Sequence, residues 1–228
     1  MKLSIVMPVF NEYTTIAKIV RRVLAVDLEK ELIIVDDQSG DGSWEILVKL
    51  ARENREIKLF RHERNQGKGA ALRTGFGQIE GDVVVIQDAD LEYDPGEFRK
   101  LLKPIEDGRA DVVYGTRFAG GSGRSADLIH TAANRFLTAL SNLMTGMDLT
   151  DMETCYKMFR AGLLDGLRLT SNRFNIEPEL TAAFAHAGAR VFEVPIHYTG
   201  RSKNAGKKIG FKDGVEAIYS IVRFNLFK

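Results

Sequence analysis

Short apolar runs alternate along the first half of the chain with segments in which apolar residues recur at helical spacing. The apolar runs predict strands at residues 3–9, 32–35, 57–61, 82–87 and 112–114. Between them, helices are predicted after a cap at Thr14 or Thr15, from a cap at Ser43, after Gly69 and from Pro95. Strands that alternate with helices indicate a parallel sheet with right-handed crossovers.

The pattern changes after residue 115. A glycine-rich, basic stretch at residues 115–124 precedes a long predicted helix at residues 125–144. A mixed stretch at residues 155–159 carries no strand prediction, whereas a helix is predicted at residues 177–186 and a strand at residues 190–195. No change of composition separates this part from the first, so one domain is expected.

Polar residues follow three of the predicted strands. Asp88, Asp90 and Glu92 follow the fourth, an Asp pair at residues 36–37 follows the second, and an Asn-Glu pair at residues 11–12 follows the first. Because α/β sheets bind ligands at the carboxyl edge, these residues are expected to share one site. Side chains two apart on a strand point in one direction, and paired carboxylates suit Mg²⁺ or Mn²⁺. The pattern predicts a metal-bound diphosphate; the alternative is that the two Asp residues only end a strand and cap the next turn.

Composition narrows the classes of protein that fit. Of the 228 residues, 44% are hydrophobic and 28% charged, the balance of a globular protein. A net charge of +1 argues against a general nucleic-acid binder, despite the basic residues at 201–212. The single cysteine, Cys155, excludes an internal disulfide framework and a cysteine-rich zinc site, fits a reducing compartment, and is expected to be a buried bystander. His130, His186 and His197 lack the spacing of metal ligands.

Membrane signals are weak. No apolar run reaches the ~18 residues that a transmembrane helix needs, and no basic-then-apolar leader precedes the first strand. The chain is therefore expected to be cytoplasmic and not to span a membrane. Residues 215–227 predict an amphipathic helix, which more often packs on its own domain than against lipid.

The loop at residues 65–69 contains two glycines around Lys68. It does not fit a Walker phosphate loop, since Gly69 follows the lysine, and no dinucleotide fingerprint follows the first strand. A glycine-rich turn that opens a helix can still present amides to an anion, with Lys68 adding a charge. A plain turn with an exposed lysine is the alternative.

Taken in chain order, these motifs resemble glycosyltransferase family 2, and more narrowly its dolichol-phosphate mannosyltransferase-like, polyprenyl-phosphate glycosyltransferase group. The resemblance rests first on Pro8-Val9-Phe10-Asn11-Glu12, Asp36-Asp37, Asn65-Gln66-Gly67-Lys68-Gly69 and Asp88-Ala89-Asp90-Leu91-Glu92. It continues through residues 115–118, 134–135, 151–157, 177–179, 193–195 and 206–210. It thus covers nearly the whole chain and is specific to the family, though not to the sugar.

The resemblance implies a GT-A fold, the Rossmann-like α/β architecture of nucleotide-diphospho-sugar transferases, with a mostly parallel central sheet flanked by helices. It implies a single glycosyltransferase domain over residues 1–228, with a nucleotide-sugar-binding half at residues 1–115 and an acceptor-side half at residues 116–228. Such an enzyme moves a sugar from a nucleoside diphosphate sugar with inversion, using Mg²⁺ or Mn²⁺. The implied nucleotide-sugar contacts are Pro8, Asn11, Glu12, Asp37, Gly67, Lys68, Asp88, Ala89 and Asp90. The implied metal ligands are Asp88, Asp90 and Glu92, the last in place of the glutamine that relatives often carry.

The charges of the second half bear on the acceptor. An alcohol acceptor needs a carboxylate base, whereas a polyprenyl phosphate is already anionic and needs positive side chains. The expected acceptor-binding residues are Arg117, Arg124, Arg135, Arg201 and Lys203, each of which has solvated surface charge as its alternative. The expected catalytic residues are Asp88, Asp90, Arg117 and Asp151, since the resemblance puts Asp151 near the reaction centre. This inventory favours polyprenyl phosphate.

Three alternatives stay open. Transfer to a hydroxyl of a saccharide or other soluble acceptor would use Asp151 or Glu153 as base. A non-catalytic nucleotide-sugar-binding protein would keep the donor pocket without needing the acceptor-side arginines. A nucleotidyltransferase would carry a glycine-rich loop with arginine after the first strand, where this chain has Asn11-Glu12-Tyr13.

Access to a lipid acceptor is a separate expectation. Many members of the resembling group carry transmembrane helices after the catalytic domain. Here a peripheral contact at the inner face of the membrane is expected instead, through residues 201–212 and the last predicted helix. The motifs leave open the sugar, the choice between GDP and UDP, and the oligomeric state.

Overall fold

The computed structural model of the chain describes residues 1–118, 128–200 and 211–226. Its centre is a seven-stranded sheet in the order β3-β2-β1-β4-β6-β5-β7. The strands are β1 (Leu3–Val9), β2 (Lys30–Asp36), β3 (Ile57–Arg61), β4 (Val83–Ile86), β5 (Val112–Thr116), β6 (Lys157–Arg160) and β7 (Val191–Pro195). The helices are α1 (Ile16–Leu24), α2 (Ser43–Glu53), α3 (Lys68–Phe76), α4 (Phe98–Glu106), α5 (Leu128–Thr145), α6 (Ile176–His186) and α7 (Phe211–Leu226). Short 3₁₀ turns precede α4 at Pro95–Glu97 and follow β6 at Ala161–Leu164.

The five strands predicted in the first half are confirmed, with shifts of one or two residues at their ends. Strand β1 pairs in parallel with β2 and β4, and β2 pairs in parallel with β3. Consecutive residues of β2, from Leu32 to Val35, are all fully buried. Because neighbouring side chains point to opposite faces, both faces of the sheet are covered. That double burial explains why these strands read as continuous apolar runs.

Strand β6 is the element that the sequence pattern missed. It pairs antiparallel with both β4 and β5, and so lies between them in an otherwise parallel sheet. It has only four residues, and it begins with Lys157 and ends with Arg160, which hides the apolar signal of Met158 and Phe159. The side chain of Lys157 is fully buried. The strand therefore carries a positive charge into the interior, close to the end of β4.

Two predicted helix caps differ from the structure. Thr15 lies at the cap of α1, but its hydroxyl makes no cap bond to the helix. Helix α2 begins at Ser43 itself, and the Ser43 N–H donates to Asp41 Oδ1 at 3.0 Å, so Asp41 performs the capping that the pattern assigned to Ser43. Gly42 precedes α2 with a φ of 94°, a left-handed conformation that favours glycine.

The helices predicted in the second half are present. Helix α5 matches the prediction at 125–144 from residue 128 onward, α6 matches that at 177–186, and α7 matches that at 215–227 but begins earlier. Residues 125–127 and 227 lie outside the described residues. Among the described residues, no helix combines the length and the apolar character needed to cross a bilayer.

Candidate active site

The loops that follow β1, β2 and β4 meet at the carboxyl edge of the sheet, as predicted. The Asn11 N–H donates to Ser39 Oγ at 3.0 Å, and Asn11 Oδ1 accepts from the Gly40 N–H at 2.9 Å. Thr15 Oγ1 lies 2.9 Å from Glu12 Oε2 and 3.1 Å from the Ala89 carbonyl oxygen. The structure thus brings Asn11, Glu12 and Ala89 together at one edge, while Pro8 lies within β1 opposite Val35.

Asp88 and Asp90 lie in the turn at residues 88–92, beyond the end of β4 at Ile86. Strand alternation therefore does not set their directions, and the expectation that it would is wrong. Asp88 Oδ1 lies 2.9 Å from Lys68 Nζ. Asp90 Oδ1 instead accepts from the Glu92 N–H at 3.0 Å, which closes the turn as an Asp side chain often does.

Lys68 begins a chain of alternating charges that runs away from Asp88. Its Nζ also lies 3.0 Å from Glu177 Oε1, in the first turn of α6. Glu177 Oε2 in turn accepts from Lys157 Nζ, which also donates to the Thr154 carbonyl oxygen. We call Asp88, Lys68, Glu177 and Lys157 the Lys68 assembly. It joins the first half of the chain to β6 and α6.

The charges of the Lys68 assembly support one another. Burial would raise the pKa of Asp88, but the neighbouring Lys68 ammonium holds that pKa below its usual value. Burial also opposes the charge on Lys68, yet the carboxylates of Asp88 and Glu177 raise its pKa well above the usual value. Cys155 is buried as predicted, and burial raises the pKa of its thiol well above the usual range. The thiol is therefore a neutral neighbour of Asp88.

The glycines of the 65–69 loop have a packing role. A Cβ at Gly67 would meet the Asn172 carbonyl oxygen, and a Cβ at Gly69 would meet that of Ser171. The Ala70 N–H donates to the Asn172 oxygen at 3.1 Å. A segment of the second half thus lies directly on this loop, and only glycine permits that approach. The predicted anion cradle is a contact between the two halves in this arrangement, and Lys68 is a half-buried ion-pair partner instead of an exposed charge.

Asp37 holds the same loop from the other side. Its carboxylate accepts from the Gln66 N–H at 2.9 and 3.1 Å and from the Gly67 N–H at 2.7 Å. One oxygen also lies 2.7 Å from His62 Nδ1, whose other nitrogen is 2.9 Å from Thr74 Oγ1. Asp37 is almost fully buried. Its predicted contact with the nucleotide stays a prediction, whereas its role in shaping the loop is visible in these bonds.

Glu92 faces a different partner from Asp88. Its Oε2 accepts from the Tyr198 hydroxyl at 2.8 Å, and its carbonyl oxygen accepts from the Thr199 N–H at 3.0 Å. Burial, together with the charges of Glu92 and Asp90, raises the pKa of Tyr198. The charges of Asp90 and Glu92 thus both act on the Tyr198 hydroxyl.

Arg117 and Asp151 form a second assembly of charges. Asp151 Oδ2 accepts from Arg117 N at 3.0 Å and Nε at 2.7 Å, and Oδ1 accepts from Arg117 Nη2 at 2.7 Å and Asn134 Nδ2 at 3.1 Å. The guanidinium also lies 5.2 Å from the centre of the Tyr198 ring. We call Arg117, Asp151 and Asn134 the Arg117 assembly. The Asp151 carboxylate is fully buried and accepts four hydrogen bonds, which leaves it poorly placed to take a proton from an acceptor.

The charges of both assemblies act on Glu153. Burial raises its pKa to about 7, with Lys157 and Arg117 opposing the rise and Glu177 and Asp151 adding to it. Its Oε1 is buried and has no hydrogen-bond partner among the residues that the structure describes. A buried carboxyl oxygen without a partner is costly, so a ligand or water that pairs with it would be favoured.

A cavity of about 390 Å³ opens beside the Arg117 assembly. Arg135 is the charged residue among those that line the cavity. The others are Phe118, Thr138, Ala139, Asn142, Leu149 and Thr150. Arg117 and Arg135, two of the five predicted acceptor-binding residues, therefore lie in the same region. The other three, Arg124, Arg201 and Lys203, lie outside the described residues.

The predicted metal ligands fit a cation that arrives with a nucleotide better than a closed protein site. Within residues 1–118, 128–200 and 211–226, no three Asp, Glu, His or Cys side chains come close enough to hold an ion. Mg²⁺ is commonly bound by one or two carboxylates, with diphosphate and water oxygens completing its shell. Oxygen donors from Asp88, Asp90 and Glu92 at the rim of the site suit that arrangement.

Sequence reasoning did not identify Lys157, Glu177, Tyr198 or His62 as parts of the site. Lys157 and Glu177 did fall within motifs that carried the family resemblance. A lysine inside an otherwise apolar stretch and a glutamate at the start of an apolar helix were the available signals. Neither signal shows that the two charges meet, because 20 residues separate them along the chain.

Comparison with known proteins gives three findings. The sequence model described as Glycosyl transferase family 2 matches residues 4–168. Undecaprenyl-phosphate 4-deoxy-4-formamido-L-arabinose transferases from Photorhabdus laumondii and Salmonella paratyphi A are 31% and 30% identical over 97% of this chain. The chain spans 67% and 66% of those proteins, about two thirds of their length.

Among solved structures, glucosyl-3-phosphoglycerate synthase from Mycobacterium tuberculosis, in complex with Mn²⁺, UDP and glucosyl-3-phosphoglycerate, has a similar fold. The TM-score is 0.72 at 19% identity, and the match covers 98% of this chain and 78% of that one. The likeness confirms the GT-A fold that the sequence resemblance implied.

Proposed function

Because the chain belongs to glycosyltransferase family 2, we propose that it transfers a sugar from a GDP- or UDP-sugar to a polyprenyl phosphate, with inversion and with a divalent metal. The relatives that align over almost all of this chain are named for transfer to undecaprenyl phosphate. The observation that carries the acceptor assignment lies in the structure. Asp151 accepts hydrogen bonds from Arg117 and Asn134, so one of the two candidate bases for a hydroxyl acceptor is held in an ion pair.

A phosphate acceptor explains that arrangement. Its oxygen is already ionised near neutral pH, so attack on the anomeric carbon needs no base, only cations that hold the acceptor. Arg135 lines a cavity whose other walls include Phe118, Ala139 and Leu149, a combination that suits an anionic head followed by an apolar chain. Arg117, Arg124, Arg201 and Lys203 complete the proposed acceptor-binding set.

On the donor side, Pro8, Asn11, Glu12, Asp37, Gly67, Lys68 and Ala89 are proposed to border the nucleotide sugar. Asp88, Asp90 and Glu92 are proposed to hold Mg²⁺ or Mn²⁺, which, when bound, would neutralise the charge that develops on the leaving diphosphate. The chain's own contribution is to keep Asp88 ionised through Lys68 and to fix Glu92 through Tyr198. The Mn²⁺ and UDP bound by the structural relative support this part of the proposal.

A lipid acceptor calls for contact with a membrane, and one face of the protein suits it. Helix α5 exposes Phe136 and Leu143, and α7, which packs against α5, exposes a stripe of apolar residues. The stripe comprises Val215, Ile218, Tyr219 and Leu226. The cavity beside Arg135 is lined by α5 as well. We propose that this face rests on the inner surface of the membrane, so that the lipid reaches the site along α5.

A donor screen tests the proposal. The protein would be incubated with GDP- and UDP-sugars, a short polyprenyl phosphate and Mg²⁺ or Mn²⁺, with sugar measured in the lipid fraction. Transfer to lipid from one donor, lost on chelation of the metal, is expected. Modification of a soluble saccharide with no labelled lipid would contradict the acceptor assignment. Donor binding without turnover on any acceptor would indicate a binding protein instead.

One observation favours a second candidate, transfer to a hydroxyl. Glu153 has a pKa of about 7, raised by burial, and an oxygen with no hydrogen-bond partner in the described part of the chain, which are properties of a general base. The substitution Glu153→Gln separates the two candidates, because a base is needed only for a hydroxyl acceptor. Lipid transfer is expected to persist in this variant; a loss of about 100-fold or more in transfer to a soluble acceptor would favour the second candidate.

A further inference from the structure

We propose that the Lys68 assembly sets how strongly Asp88 binds a divalent cation, with Glu177 and Lys157 as positioning residues that act through Lys68. The inference rests on the metal part of the proposed function and adds a regulation of that site by residues behind it. Neither Glu177 nor Lys157 belongs to the proposed metal ligands. Both are buried, Glu177 on α6 and Lys157 on β6. Glu177 contacts Lys68 and Lys157 contacts Glu177, while the Lys157 charge also acts on Asp88 through space, in the same direction as its effect through Lys68.

The geometry makes Lys68 a shared cation. Its Nζ lies at nearly equal distances from two carboxylates, 2.9 Å from Asp88 and 3.0 Å from Glu177. A divalent ion on Asp88 would compete with that ammonium for the same carboxylate charge, and two cations so close repel each other. Whatever draws Lys68 toward Glu177 should therefore strengthen metal binding at Asp88. A change that leaves Asp88 as the nearest remaining negative charge for Lys68 should weaken metal binding at Asp88.

Lys157 controls the other end of the chain of charges. Its ammonium shares Glu177 with Lys68 and is held in place by the Thr154 carbonyl oxygen. The side chain of Lys157 is fully buried and that of Glu177 is 5% exposed, so solvent screens this pair little. Removing the Lys157 charge should leave Glu177 free to attract Lys68 more strongly. The effect on Asp88 then has the opposite sign to that of removing the Glu177 charge.

This opposition of signs separates a positioning role from a purely structural one. If the assembly only joined the two halves of the chain, any neutral substitution in it would loosen the site and lower metal affinity. A chain of alternating charges predicts instead that Glu177→Gln weakens the binding of the metal and Lys157→Met strengthens it. Both substitutions preserve the approximate size of the side chain.

The experiment is a titration with Mn²⁺ alone, without donor or acceptor, that follows free Mn²⁺ by electron paramagnetic resonance. We expect Glu177→Gln to raise the dissociation constant about 5- to 10-fold and Lys157→Met to lower it about 3-fold. Glu177→Asp retains the charge and should stay within about 2-fold of the original protein. Glu56→Gln, which removes a surface carboxylate paired with Lys30, serves as a matched control and should change nothing.

Shifts of both assembly variants in the same direction, or of neither, would overturn the inference while leaving the proposed metal site intact. If the original protein binds no Mn²⁺ alone, the titration is repeated with GDP or UDP present, and absence of binding there too would overturn both. Circular dichroism would establish that each variant is folded. If Lys157→Met does not fold, the Gln and Asp variants at Glu177 decide, because a shift of equal size in both would show that the charge is not what matters.

Discussion

The Lys68 assembly and the Arg117 assembly both pair buried and partly buried charges of opposite sign, but they pair them in different ways. In the Lys68 assembly, two lysines are each shared between acceptors, and the chain of contacts crosses from α3 and the 88–92 turn to β6 and α6. In the Arg117 assembly, one arginine donates three hydrogen bonds to one carboxylate, from its backbone N–H, Nε and Nη2, and Asn134 donates a fourth.

The difference follows from the shapes of the two cations. An ammonium is a compact charge that can redistribute its attraction between neighbours, whereas a planar guanidinium fixes the direction of each bond. The Lys68 assembly can therefore transmit a change of charge from one end to the other. In the Arg117 assembly, by contrast, both oxygens of Asp151 are occupied by hydrogen-bond donors, so they are poorly placed to take a proton from an acceptor. The first is suited to tuning a metal site and the second to orienting an acceptor.

The largest effect is expected from Lys68→Met, which removes the shared cation and leaves Asp88 facing Glu177. Breaking a buried ion pair on one side commonly costs 3–5 kcal/mol; we expect about 3, because the Lys68 and Asp88 side chains are still 15% and 25% exposed. The loss would be measured as the free energy of unfolding in urea. Lys103→Met removes an exposed lysine paired with Asp107 and is the matched control. A change equal to that control would show that the Lys68 assembly does not carry charge across the interior.

Asp151→Asn tests the other assembly and should cost about 2 kcal/mol. The amide still accepts from Arg117 through its oxygen, but its NH₂ group then faces a guanidinium nitrogen and cannot accept. We expect weaker binding of the acceptor with measurable turnover retained, since Asp151 is not assigned the role of base. Asp148→Asn, at a nearby exposed position, is the control. Complete loss of turnover with unchanged acceptor binding would contradict the contrast drawn between the assemblies.

The two assemblies also differ in how far the sequence predicted them. Arg117 and Asp151 were identified because they lie in recognisable motifs, although their pairing, across 34 residues of the chain, was not predicted. Asp88 and Lys68 were identified too, but with nucleotide and metal roles only. The further contacts of Lys68 with Glu177, and of Glu177 with Lys157, involve α6 and the antiparallel strand β6, and four residues framed by charges could not reveal that strand.

The 65–69 loop shows the same limit of pattern reading. Two glycines beside a lysine are typical of an anion site, yet the space that they leave is filled by carbonyl groups of residues 171 and 172. Close approach of a distant backbone and close approach of a phosphate both require glycine. The parallel strands could be predicted because burial on both faces is a local property, whereas long-range contacts of this kind are not.

Glu153→Gln tests how the buried carboxyl of Glu153 makes the stability of the protein depend on pH. The folded-state pKa of about 7 lies above the usual 4.5 of a glutamate, so between these values the folded protein retains a proton that the unfolded chain has lost. The original protein should therefore lose stability as pH rises from about 4.5 to about 7 and stay lower above that.

Glutamine removes this loss, so the variant should exceed the original protein by about 1 to 2 kcal/mol at pH 8 and match it near pH 4. Urea unfolding at both pH values measures the difference. Glu63→Gln, at an exposed position, should give a difference that does not vary with pH. A variant at Glu153 that is no more stable than the original at pH 8 would mean that the carboxyl is not held protonated by burial.

The smallest effect is expected at Tyr198, which contacts Glu92 of the 88–92 turn and Arg117 of the Arg117 assembly. Tyr198→Phe keeps the ring over Arg117 but removes the hydroxyl that donates to Glu92. A single neutral-to-charged hydrogen bond at a partly exposed site predicts a loss of stability of about 0.5 to 1 kcal/mol. Because Arg117 keeps its ring contact and its bonds to Asp151, binding of the acceptor should not change.

The affinity for Mn²⁺ should change instead. Without the Tyr198 hydroxyl, the Glu92 carboxylate becomes a better ligand, so Mn²⁺ should bind up to about 3-fold more tightly. Glu92→Gln alone should weaken Mn²⁺ binding by removing a charge. In the double variant, Tyr198→Phe should have no further effect on Mn²⁺, because its influence passes through the Glu92 carboxylate. Additive effects would show instead that Tyr198 acts on the metal through Arg117, which would join the two assemblies that the structure otherwise keeps apart.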